Sequence, residues 1–167
     1  TWTHLAVSRS SGSMKIFMDG VESASASRAE SLANNGTPYL GWKPANNQDG
    51  FAGYMDEVRL SDTARYTANF TPSTTAFTSD ANTQLLIHSN ESSESTTFTD
   101  SSSSTHTVTA FGDAKHMPPI KKIGSSSIYF PKTSANINTQ NYIAISDDAT
   151  WDYGTGDAYP QIGRWNT

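Results

Sequence analysis

The 167-residue chain contains no cysteine, which removes disulfides and thiolate metal sites from consideration. Charge is sparse too, with 11 Lys and Arg against 16 Asp and Glu and a net charge of −5. A nucleic-acid surface needs clustered basic residues, and the one basic pair, Lys121-Lys122, suits solvated surface. No apolar run approaches the roughly 18 residues of a membrane-spanning helix. Helical periodicity is equally scarce, since only Arg28–Leu32 and Ser61–Tyr66 could each close one turn. His4, His88, His106 and His116 show no zinc-type spacing. There is no strong internal repeat. The stretch also shows no initiator Met and no targeting segment, and Trp2, Leu5 and Val7 already read as the middle of a strand.

What the chain has in abundance is hydroxyls, 24 Ser and 21 Thr. Thr favours strands and Ser favours turns and caps. Short apolar or alternating runs recur at Thr3–Val7, Met14–Met18, Pro38–Trp42, Gly53–Leu60, Gln84–His88, Thr105–Ala110, Ser127–Phe130 and Tyr142–Ile145. Ser-, Asn- and Gly-rich breaks separate them, a spacing that predicts an all-β sandwich or jelly roll. Asp19-Gly20 is the best hairpin signal, because a two-residue type I′ turn needs φ > 0 at both positions. Asn69–Asp80 reads as an extended strap or linker, and Glu91–Thr105 as a low-complexity polar stretch around Phe98.

Four stretches carry a family likeness: "WTHLAVSRSSGSMKIFMDGVE", "YLGWKPANNQDGFAGYMDEVRLSDTARYTANFTP", "TQLLIHSNESSESTTFTDSSSSTHTVTAFGDA" and "GSSSIYFPKTSANINTQNYIAISDDATWDYGTGDAY". Together they resemble the laminin G-like domains of the concanavalin A-like superfamily, in the tandem form found in phage and bacterial exported proteins. The resemblance implies an antiparallel β-sandwich. It also implies an unusual order, with residues 1–75 like the C-terminal half of one sandwich, 76–80 a linker, and 81–167 like the N-terminal half of the next. The halves could close on each other as one circularly permuted, trimmed sandwich, or the chain could be cut across two tandem domains whose edges are completed by neighbours. The single permuted sandwich is the favoured expectation. The tail "AYPQIGRWNT" departs from the apolar strand of the family, and Pro160 there suits only an edge or a bulge.

No catalytic constellation is expected. Related glycosidases place carboxylates on alternate residues of one strand so that both face one cleft. Asp56-Glu57 are adjacent and should point to opposite faces, one bonding loop backbone and the other meeting Arg59 or solvent. "GSSSI" at Gly124–Ile128 lacks the spacing of a nucleophile elbow. Calcium is the candidate cofactor, since Ca²⁺ prefers hard oxygen ligands and some relatives bind it at the sandwich rim. Asp147, Asp148, Asp152 and Asp157 would be its ligands, with Asx-turns and caps as the competing reading. Trp42 beside Asn46, Asn47 and Asp49 offers the aromatic face and polar groups that a glycan needs; core packing is the competing reading for Trp42. Asn69 and Asn90 lie in formal glycosylation sequons, as does Asn35, and Ser101, Ser102, Ser103, Ser104 and Thr105 are candidate O-glycan acceptors.

The expected function is therefore a non-enzymatic structural or adhesive repeat module of an extracellular, cell-surface or virion (tail or fibre) protein. Its expected partners are neighbouring copies, in tandem or head to tail, and surface glycans. A degenerate jelly-roll glycosidase and a filament subunit without ligand are the alternatives.

Overall fold

In the computed structural model, residues 1–27, 37–42, 50–132 and 141–147 are described, together with the strand pairing of 159–161 and 164–166. Every regular element among them is a β-strand. In chain order these are β1 Thr3–Ser10, β2 Ser13–Met18, β3 Val21–Ser27, β4 Tyr39–Leu40, β5 Gly53–Asp56, β6 Val58–Ser61 and β7 Thr83–Ile87. They continue as β8 Thr97–Phe98, β9 Val108–Phe111, β10 Lys115–Met117, β11 Ser127–Phe130, β12 Tyr142–Ile145, β13 Tyr159–Gln161 and β14 Arg164–Asn166. All pairings are antiparallel. The single helical turn expected at Ser61–Tyr66 does not form: Ser61 ends β6 and the following residues make bends. Arg28–Leu32 lie outside the described residues.

Three sheets result, in the orders β10-β11-β5-β14-β1-β2-β3, β4-β12-β9-β8 and β13-β6-β7. Each takes strands from both the 1–75 and the 81–167 stretches. Thr3 pairs with Trp165 and His4 with Arg164, while Ile128 pairs with Met55 and Ile143 with Leu40. Residues 76–80 are exposed except for Phe77. Phe77 is buried beneath the Arg59 guanidinium, 4.2 Å from its ring centroid, and Asp80 accepts two hydrogen bonds from Arg65, each of 2.6 Å. Pro160 sits on β13, the terminal strand of its sheet, where its missing N–H breaks no inner ladder.

Local chemistry sets the corners. Asp19 and Gly20 both take positive φ, 49° and 82°, as the two-residue turn requires. Gly20 is needed for a second reason, since a Cβ there would lie 1.9 Å from the Phe70 carbonyl oxygen. That carbonyl belongs to the strap over β1 and β2, where Tyr66 and Phe70 stack at 3.5 Å and Phe70 meets His4 and Phe17 edge-on. A different corner divides the expected Gly53–Leu60 strand. Glu57 has φ of 56°, which ends β5 in the seven-stranded sheet and restarts the chain as β6 in the three-stranded one.

The core lies between the sheets. It is built from Met55, Val58, Leu60, Leu85, Ile87, Phe98, Ile128, Phe130, Ile143 and Ile145, with Phe51, Val108 and Ala110 packed against it. Alternation assigns the faces. On β12, Ile143 and Ile145 are buried while Tyr142 and Ala144 are half-exposed. Each fully buried aliphatic or Phe side chain contributes roughly 1.5–3 kcal/mol, so this pattern fixes the register, because a one-residue slip would turn the whole set outward.

Candidate functional site

The outer face of the four-stranded sheet carries an aromatic column. Tyr142 on β12 is the cross-strand partner of Phe111 on β9, and their rings stack at 4.6 Å with 10° between planes. Trp42, just past β4, stacks on Tyr142 at 4.6 Å and 30°. Trp42 and Phe111 therefore occupy opposite faces of the tyrosine. Tyr39 on β4 packs edge-on against Trp42 and Tyr142, at 5.2 and 5.7 Å. Offset stacks and edge contacts of this kind each add about 0.5–1.5 kcal/mol beyond area burial. Trp42 is thus neither a core residue nor an isolated platform but one end of a braced stack, held further by its bridge to Gly50. At the other end Phe111 is 41% exposed, the one exposed aromatic among the described residues.

The turn after Phe111 is fixed as well. Gly112 takes φ of 65°, and the Asp113 amide donates to Asn141 Oδ1 at 2.7 Å. Asn141 is 5% exposed and donates its own Nδ2–H to the Pro131 carbonyl at 2.7 Å. The exposed Asp113 side chain therefore leaves a rigid backbone beside Phe111. Phe111, Tyr142, Tyr39 and Asp113 were missed by the sequence reading. The FGD turn motif was visible, but the ring contacts depend on a β9–β12 register that distant segments set.

Of the expected glycan residues, Asn46, Asn47 and Asp49 lie outside the described residues. So do Asp148, Asp152 and Asp157 of the expected calcium site, while Asp147 is exposed just past β12. Among the described residues no group of three or more His, Asp and Glu side chains is placed to hold a metal ion. Of the three sequon asparagines Asn35 lies outside the described residues, and the other two are exposed with their amide oxygens engaged: Asn69 Oδ1 accepts from Glu22 N at 2.9 Å, and Asn90 Oδ1 accepts from Ser125 N at 2.8 Å.

The serine run is built rather than loose. Asp100, buried, accepts hydrogen bonds from the amides of Leu86, Ser102 and His106, each at 2.9 Å, and from Ser102 Oγ at 2.8 Å. Ser102 is itself buried, so its hydroxyl departs from the exposed acceptor expected there. Ser101, Ser103 and Thr105 are exposed, and Ser104 is half-buried.

The acidic pair is also spent on structure. Asp56 and Glu57 are both fully buried, which corrects the expectation that one of them meets Arg59 or solvent. Asp56 Oδ2 accepts from the amides of Lys122 and Ile123, at 2.7 and 2.9 Å, while Oδ1 has no partner among the described residues. Burial pushes the Asp56 carboxyl up to about 6, against the lowering effect of those two amides. Glu57 accepts from Phe77 N at 2.7 Å and from His88 Nδ1 at 2.8 Å. A second polar cluster joins His116, Ser89 and Ser126. His116 Nε2–H donates to the Thr97 carbonyl at 2.8 Å, and Nδ1 meets Ser89 Oγ at 2.8 Å. All three side chains are sealed from solvent, so the cluster cannot present a nucleophile to substrate.

An antiparallel all-β molecule with layered sheets and an aromatic-bearing outer face belongs to the sandwich class. Consistent with this, residues 1–70 match the family model described as "Concanavalin A-like lectin/glucanases superfamily" (Laminin_G_3). Fold and match together support a laminin G-like domain, a carbohydrate-binding or structural module. No curated protein and no solved structure matches the chain.

Proposed function

We propose that the chain is a non-enzymatic carbohydrate-binding module with an adhesive role in an extracellular, cell-surface or virion protein. The observation that carries this reading is the Trp42–Tyr142–Phe111 column, which ends in an exposed ring beside a carboxylate turn. Sugars present C–H patches and hydroxyls together, and this arrangement offers a partner to each. The non-enzymatic part is supported by Asp56 and Glu57. Their oxygens serve backbone donors and His88 in the interior, whereas a glycosidase needs two carboxyls facing one cleft. A glycan array together with a reducing-sugar assay on soluble β-glucans tests the reading. Binding without hydrolysis is the expected result; sugar release at a rate that falls with an acidic-residue variant refutes it.

Contact between copies is a second reading, favoured by Ile16, Met18 and Val21, which are 37%, 47% and 58% exposed beside β3, the terminal strand of its sheet. Open edges with apolar neighbours invite pairing. A monomer when dilute, with weak association only at high concentration, is expected from sedimentation.

A further inference from the structure

We infer that the outward ring face of Phe111 and the carboxylate of Asp113 form a sugar subsite that takes the C–H face of a pyranose, with Asp113 accepting hydrogen bonds from its hydroxyls. The inference rests on the carbohydrate-binding reading and moves the site from Trp42 to the far end of the column.

Three observations carry it. The first is which ring faces are already used. Tyr142 has Trp42 on one face and Phe111 on the other, and Trp42 has Tyr142 on one face and Tyr39 at 80° to its plane. Phe111 has Tyr142 on one face, and it is the ring that stays 41% exposed. A sugar cannot displace Tyr142 without breaking the stack, but it can extend the column by one layer.

The second is preorganisation. Binding costs the freedom of every side chain that it orders, about 0.5–1.5 kcal/mol for a rotamer-rich one. Phe111 is held beforehand by Tyr142, and Tyr142 by Trp42 and Tyr39. The turn that carries Asp113 is held by Asn141 through a buried amide pinned at both ends. Trp42, Tyr39, Tyr142 and Asn141 are therefore positioning residues, and Phe111 and Asp113 are the contacts.

The third is chemical fit. A carboxylate accepts through two oxygens and suits the vicinal hydroxyls at the edge of a pyranose whose flat side lies on an aromatic ring. The other stacked pair on an outer face, Tyr54 with Tyr129 at 4.8 Å and 19°, has both rings half-buried. The hollow of about 140 Å³ near Trp2, Asp19 and Lys122 has no ring among its described lining as exposed as Phe111.

The test measures binding of cellohexaose, chitohexaose and the hits of a glycan array to the intact chain and to the variants Phe111→Ala, Asp113→Asn and Trp2→Ala. Asp113 is exposed, so its variant should melt as the parent does, while Phe111→Ala gives up its stack on Tyr142 and should melt a little lower but fully folded. For whichever sugar the parent binds, Phe111→Ala and Asp113→Asn should each weaken binding about tenfold or more, the scale of a lost anchor, while Trp2→Ala changes nothing. If the parent binds a sugar and Phe111→Ala binds it equally well, or if Trp2→Ala abolishes binding, the subsite is wrong while the carbohydrate-binding reading stands. If the parent binds no sugar at all, both fall.

Discussion

The Nδ1 of His88 lies 2.8 Å from the buried Oε1 of Glu57, across the corner where the chain leaves one sheet for another. The same glutamate receives the Phe77 amide through its other oxygen, so one side chain ties the strap, the corner and the end of β7 together. Asp56 beside it holds the 122–123 backbone. The most acid-rich part of the interior is thus a structural junction.

This junction makes stability depend on pH. Burial raises the Asp56 carboxyl from 3.8 to about 6, and the hydrogen bond to Glu57 raises His88 above its ordinary value. A group whose folded pKa is raised stabilises fully below its unfolded pKa and loses that contribution as pH rises through the folded value. Both therefore favour mildly acidic solution, with Asp56 alone worth on the order of 3 kcal/mol between about pH 4 and 7. Asp80 acts in the opposite sense. Its hydrogen bonds from Arg65 hold it far below the usual carboxylate range, so its contribution is present above 3.8 and is lost as pH falls further. Thermal melts should show maximal stability near pH 4 and a decline from there to about pH 7. Asp56→Asn should flatten that decline and melt higher than the parent at pH 8; an undiminished slope in the variant would clear Asp56 of responsibility.

Asp100→Ala should be among the more damaging polar substitutions. It leaves three amides and one hydroxyl without their acceptor, and each unsatisfied buried group costs about 1–3 kcal/mol. A loss of about 3 kcal/mol or more in urea denaturation is expected, with faster proteolytic cleavage near 101–105. Ser103→Ala, exposed in the same run, should change neither readout. Equal sensitivity of the two variants would mean that the loop is not hung from Asp100.

Gly20→Ala tests the strap. The added methyl meets the Phe70 carbonyl and Pro72 at a positive φ that L residues rarely take. Since backbone cannot yield as a side-chain tip can, a loss of about 2 kcal/mol or more is expected, with Tyr66 and Phe70 loosened from His4 and Phe17. Proton spectra should report this as shifts confined to that aromatic group; a variant with the parent's melt and spectrum would show that the strap is not tightly seated.

The sequence made most strands legible because alternation and turn chemistry are local. Met14–Met18, Ser127–Phe130 and Tyr142–Ile145 are strands within a residue of their expected ends, and Asp19-Gly20 turns as its type requires. What escaped is what depends on distant partners. β8 and β10 are two and three residues long, too short to show a period. The segment Arg164–Asn166 is polar but lies between β5 and β1, where its neighbours supply the strand. Glu57 broke a run that read as continuous, since no local signal marks a glutamate for the left-handed region. At the candidate site, Trp42 stood out by its residue type. Phe111 did not, because its exposure follows from standing last in a stack assembled by three segments.

The placement of β14 between β5 and β1 bears on synthesis as well as stability. β1 is made long before β14, yet Thr3 pairs with Trp165 and Trp165 with Met55. No earlier strand can close that gap in the sheet. On the ribosome the early hairpin can form, but the seven-stranded sheet stays open until residues 164–166 emerge, leaving strand edges on β1 and β5 with which other nascent chains could pair. Sheets closed by such remote pairs also fold slowly, on the millisecond-to-second scale or beyond. Spacing between translating copies, or a chaperone that shields the open edges, then becomes a requirement for yield rather than for stability.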